Sequence, residues 1–139
     1  MSIALSPLPR PELGRGADAD APVRVLIVDD QAPFRSVAAA LVRRVRGWEV
    51  AGEAESGEDG VRLAAELAPD VVLMDINLPG MSGIEATRRI VAASPATAVV
   101  LISTYALEDL PQDARRCGAV GYVRKDDLTP RLLTGLLGG

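Results

Sequence analysis

From Val23 onward, short aliphatic runs alternate with stretches whose apolar residues recur at helical spacing, five times over and without a solenoid-type repeat. The runs Val23 to Val28, Trp48 to Glu53, Val71 to Met74, Ala98 to Ile102 and Val120 to Val123 predict strands. Three of them are almost wholly aliphatic, as expected of strands in a parallel sheet covered on both faces. Phe34, Val37, Leu41, Val42 and Val45 share one helical face, and Pro33 suits a first turn. Ser82 with Glu85 three residues on has the spacing of a capping box, so another helix starts near Gly83. Pro111 is excluded from a helix interior; Asp109 as cap, with Gln112 three later, predicts a short helix there. A last helix is predicted from Leu128 to Leu137, stopping at Gly138-Gly139. Five βα units with right-handed crossovers give an α/β fold of flavodoxin-like type: a doubly wound five-stranded parallel sheet of order 2-1-3-4-5, with five helices in three layers.

Before Val23 the pattern is different. Residues 1–22 carry Pro7, Pro9, Pro11 and Pro22 with scattered glycines and no hydrophobic period, which predicts a disordered leader ahead of a single domain over 23–139. Met1 to Ala21 lack the continuous apolar core of a secretory signal, and no run approaches the roughly 20 apolar residues of a membrane span, so a cytoplasmic protein is expected.

Composition narrows the chemistry. The chain has no histidine, which excludes Ser-His-Asp triads and imidazole metal sites. Its one cysteine, Cys117, forms no intrachain disulfide and lacks zinc-site partners; it reads as a small hydrophobe, as Trp48 reads as core. A net charge of −4 leaves no basic stripe for DNA, so no direct nucleic-acid contact is expected. Lys125 is the only lysine among 15 basic residues.

In a doubly wound sheet, ligands bind beyond the carboxyl ends of the strands, where the strand order reverses. The first strand runs into Asp29-Asp30, the third into Asp75, the fourth into Ser103 and the fifth into Lys125. Taken singly, these also read as a turn with a helix cap, a loop hydroxyl and a solvated charge. Their arrival at one edge favours a site. Three carboxylates brought together repel unless a cation sits among them, and hard oxygen donors of this kind suit Mg²⁺ or Mn²⁺. Such a site, with a lysine and a hydroxyl beside it, is prepared for phosphoryl chemistry.

The segments Val25 to Asp30, Pro69 to Gly83, Ser103 and Gly118 to Lys125 resemble the receiver domain of bacterial two-component response regulators, over about residues 23–137. Asp29-Asp30-Gln31-Ala32-Pro33-Phe34-Arg35, with Lys125-Asp126, is most similar to the NarL/FixJ type. The resemblance implies that Asp75 accepts a phosphoryl group from a sensor histidine kinase. It further implies that Asp30, Asp75 and the backbone carbonyl of Asn77 ligate Mg²⁺ directly, that Asp29 acts through water or orientation, and that Lys125 pairs with a phosphoryl oxygen. Ser103 and Tyr122 would be the moving switch residues, reshaping a protein-interaction or dimerisation surface, with no turnover of a free substrate. The expected setting is a stand-alone receiver or the receiver part of a transcriptional regulator.

Two features depart from the commoner receiver pattern. Asp126 stands where proline often follows the lysine, so a trans bond is expected, a cis bond without proline costing about 3 kcal/mol. Thr104, larger than the usual residue beside the switch serine, and the bulky Tyr105 are expected to shield the phosphoryl group from water and slow its loss. A receiver-like module that is never phosphorylated, an aspartyl phosphatase and a flavin carrier are the rival readings. The intact set Asp29, Asp30, Asp75, Ser103 and Lys125 argues against the first. Asn77 in place of a second acid argues against the phosphatase, and the scarcity of aromatics against flavin.

Overall fold

The structure, a computed structural model, describes residues 2–4 and 21–137. Six strands form one sheet: β1 (Ser2–Ala4), β2 (Val23–Val28), β3 (Trp48–Ala54), β4 (Val71–Asp75), β5 (Ala98–Ser103) and β6 (Gly121–Arg124), in the order β1-β6-β5-β4-β2-β3. The five strands from β2 onward are parallel and reproduce the expected 2-1-3-4-5 order. β1 is antiparallel to β6.

The continuous aliphatic runs are explained by what covers them. Along β2 and β4, Val25, Ile27, Val71 and Leu73 join one buried cluster, and Leu26, Val28, Val72 and Met74 join the other. Successive side chains point to opposite faces, and both faces are buried, so no polar position interrupts the run. Helices α1 (Ala32–Arg43) and α4 (Pro130–Leu136) cover the first face through Ala38, Ala39, Val42, Leu133 and Leu136. Helices α2 (Gly57–Leu67) and α3 (Gly83–Ala93) cover the second through Ala64, Ile84, Ala86 and Ile90.

Several expectations need correction. Four α-helices, not five, are present among the described residues. The short helix expected around Pro111 is replaced by two 3-10 turns, Leu107–Asp109 and Gln112–Arg115. Pro111 itself sits between them in an extended conformation with ψ 143°: it has no N–H to donate, and its ring drives Leu110 away from helical geometry. The last helix begins at Pro130 rather than Leu128, because the Thr129 side chain caps it by accepting from the Leu132 N–H at 3.1 Å. Val37, assigned to the buried face of α1, is 54% exposed; Ala38 and Ala39 fill that face instead.

The leader expected over 1–22 falls mostly outside the described residues, and so do Gly138-Gly139. Within it, Ser2–Ala4 form a strand, a departure from expected disorder that the open edge of β6 explains, since its outward backbone groups need partners. No described helix is long and apolar enough to cross a membrane. Cys117 is buried, as expected, and its Sγ–H points to the Ala114 carbonyl at 3.3 Å.

Candidate functional site

The carboxyl ends of β2, β4, β5 and β6 converge on a pocket of about 160 Å³ lined by Asp30, Gln31, Asp75, Asn77, Ser103, Thr104 and Lys125. Every side chain expected at the strand ends is therefore brought to one place, with Asp29 just beneath. One carboxylate oxygen from each of Asp29, Asp30 and Asp75 lies within 4.8 Å of the others. Asp29 and Asp75 are buried, while Asp30 is exposed at the mouth.

Asp29 is fixed from several directions. Its Oδ1 accepts the Gln31 N–H at 2.8 Å, and its backbone carbonyl accepts from Arg35 Nη1 at 2.8 Å. Its fully buried Oδ2 has the Lys125 ammonium 2.7 Å away as an ion-pair partner but no aligned hydrogen bond. A buried anionic oxygen with coordination to spare, beside two further carboxylates, fits a hard divalent cation. Asn77 also lines the pocket.

Asp75 closes β4, pairing with Ile102 of β5 in the ladder. Its Oδ1 accepts the Asn77 N–H at 3.2 Å, and its Oδ2 accepts from Lys125 Nζ at 3.5 Å. Burial first, and the neighbouring Asp29 charge second, raise its pKa from 3.8 to about 6, while Lys125 and the Asn77 N–H pull the other way. At pH 7 it is still about nine-tenths ionised.

Lys125 opens a 3-10 turn, Lys125–Asp127, directly after β6. Its ammonium also stands 4.5 Å from the centroid of the Phe34 ring and 3.5 Å from Gln31 Oε1. These two neighbours were not singled out from the sequence as site residues. The signal was present, because both lie at the start of α1, which must begin where β2 ends. No described peptide bond is cis, in line with the trans Lys125-Asp126 bond expected.

Around the pocket, Ser103 is buried, and its Oγ accepts the Tyr105 N–H at 3.2 Å. The Tyr105 hydroxyl reaches Asn77 Oδ1 at 3.3 Å. Tyr122 is fully buried and donates its hydroxyl to the Tyr105 carbonyl. Desolvation raises the pKa of that phenol, which keeps it a donor. Thr104 is exposed at the rim.

An open parallel sheet with an acid cluster and one lysine at its strand ends defines a class, and sequence comparison names it. Residues 25–136 match the family described as Response regulator receiver domain, and the chain belongs to that family. It is 39% identical over 103 residues to Response regulator GacA of Pseudomonas aeruginosa, a match covering 74% of this chain and 48% of that protein. The chain thus spans about half the length of the curated relatives it matches. Among solved structures, the signal receiver domain of the putative response regulator NarL from Mycobacterium tuberculosis superposes with a TM-score of 0.76 at 28% identity, covering 86% of this chain and 99% of that one. The receiver domain of the histidine kinase CKI1 from Arabidopsis thaliana, complexed with Mg²⁺ and BeF₃⁻, gives a TM-score of 0.69 at 25% identity, covering 84% and 90%.

Proposed function

We propose that Asp75 accepts a phosphoryl group from the phosphohistidine of a sensor histidine kinase and so switches a protein-interaction or dimerisation surface. The observation that carries this reading is the meeting of three carboxylates and one lysine in a pocket that also contains Ser103. An Asp75 oxygen attacks phosphorus, the P–N bond breaks, and its electron pair leaves on the imidazole nitrogen, which takes a proton. The product is an acyl phosphate. Mg²⁺, or Mn²⁺ in its place, would be held by Asp30, Asp75 and the Asn77 carbonyl, with Asp29 orienting the set. When bound, it offsets charge on the phosphoryl oxygens. The CKI1 receiver supports the assignment, since its Mg²⁺ and BeF₃⁻ have the chemistry of the metal and of a carboxylate-bound phosphoryl group.

Lys125 has the position to take a phosphoryl oxygen, as its ammonium already bridges Asp29 and Asp75. Ser103 Oγ accepts the Tyr105 N–H and keeps its own O–H to donate to the phosphoryl group, so a shift of Ser103 toward that group would draw on the loop whose carbonyl holds Tyr122. Tyr122 is fully buried with its hydroxyl on the Tyr105 carbonyl, so movement of that loop and movement of the ring are coupled. The chemistry is the same for a stand-alone chain and for the receiver half of a longer transcriptional regulator. It involves no turnover of a free substrate and no nucleic-acid contact by the residues of this site.

Incubation with acetyl phosphate and Mg²⁺, read by intact mass, tests the reading. One added phosphoryl group, lost in Asp75→Asn and absent when the metal is chelated, is expected. An unmodified parent chain would overturn it.

A further inference from the structure

β6 is the last strand of the parallel sheet, with β5 on one side only. Its other side would present a row of unpaired N–H and C=O groups, the usual template for strand addition. Here that side is taken by β1, antiparallel, with Ser2 opposite Val123, Ile3 opposite Tyr122 and Ala4 opposite Gly121. Tyr122 carries the hydroxyl that holds the Tyr105 carbonyl, and Lys125 follows two residues after Val123. The added strand therefore lies against the backbone that delivers both groups.

The direction of β1 identifies where it comes from. Its end, Ala4, lies beside the start of β6, at the amino-terminal edge of the sheet. The start of β2, Val23, is at that same edge, since Val25 pairs with Val71, Val71 with Ala98, and Val100 with Gly121. From β1 to β2 is four inter-strand steps, about 19 Å at the usual spacing. The eighteen residues 5–22 between them reach about 60 Å when extended, so the chain closes this gap with length to spare. A tether of that reach holds the strand near its edge at an effective concentration on the order of millimolar, which favours the chain's own segment over a second copy.

We propose that the outer edge of β6 is a strand-docking surface whose occupant is the amino-terminal segment Ser2–Ala4 of the same chain. Docking closes the sheet beside the Lys125 turn, and any other strand that adds there must displace it. Two experiments on the full chain test this. A nitroxide on Ser2→Cys, in a Cys117→Ala background, is expected to broaden the amide signals of Tyr122 and Val123 far more than those of β3 at the opposite edge. A ¹⁵N chain mixed with labelled ¹⁴N chain should show no such broadening. Equal broadening of both edges, or β6 broadening in the mixed sample of the strength expected for a second copy, would overturn docking within one molecule. In the second experiment, Ile3→Pro combined with Ala4→Pro is expected to speed hydrogen exchange at the β6 amides facing β1 at least tenfold, leaving β4 amides unchanged. Unchanged β6 rates, or equal acceleration in β4, would refute a strand held at this edge.

Discussion

Asp75 pays for its position in the fold. Burial beside Asp29 raises its pKa from 3.8 to about 6, so between those values the folded chain holds more protons than the unfolded one. Stability from this group is therefore complete below pH 3.8, declines as pH rises, and is gone above pH 6, a loss of about 3 kcal/mol for about two units. Asp75→Asn is expected to be more stable than the parent at pH 7 without divalent ions, by up to that amount, and equal to it near pH 3.5; urea midpoints across pH check this. Lys125 is the reverse case. Its side chain is 10% exposed and its ammonium is 2.7 Å from a fully buried carboxylate. Lys125→Met strands that charge and is expected to cost about 3–5 kcal/mol in denaturant titration at pH 7. At the rim, Thr104→Ala is expected to shorten the half-life of the acyl phosphate several-fold by admitting water; a half-life that hardly changes would show that Thr104 is no shield.

At the scale of elements, α3 is pressed against the backbone of Asp75. A Cβ on Gly83 would fall inside van der Waals contact of the Asp75 carbonyl oxygen, 2.8 Å from its carbon and 3.0 Å from Ile76 Cα. These are backbone atoms with little freedom to yield. Gly83→Ala is therefore expected to cost about 1–3 kcal/mol, the usual range for overpacking, and to slow phosphorylation by acetyl phosphate through displacement of Asp75. The Ser82 cap that starts this helix was legible from its spacing, and it accepts the Glu85 N–H at 3.1 Å. The Glu85 half of the expected box was not legible: its carboxylate turns outward to Arg88 at 3.3 Å and Arg89 at 3.0 Å. Spacing places a residue on a helix but does not decide which of several donors it takes. Pro111 shows the same limit, since its exclusion from a helix interior was evident, whereas the two 3-10 turns around it depend on packing that local sequence does not encode.

Across the whole molecule, strand order and site followed from one periodicity, because aliphatic runs without polar interruption require cover on both faces, and a doubly covered parallel sheet gathers its functional groups at one edge. Contacts between elements distant in sequence were not readable in this way; the Phe34 ring under Lys125 joins positions ninety-one residues apart. A cation at the acid cluster stabilises only the folded chain, since the three carboxylates meet only there. Mg²⁺ at a hundred times its Kd is expected to add about 2.7 kcal/mol, read as a higher thermal midpoint than in NaCl of matched ionic strength, with Asp30→Asn removing most of the gain. The lone lysine has one more consequence. Among residues 1–139 it is the one side-chain amine, and it is boxed between an aromatic ring and two acids. Reductive methylation with ¹³C-formaldehyde would thus place a single side-chain label in the cleft, a resident reporter of whatever enters or leaves it.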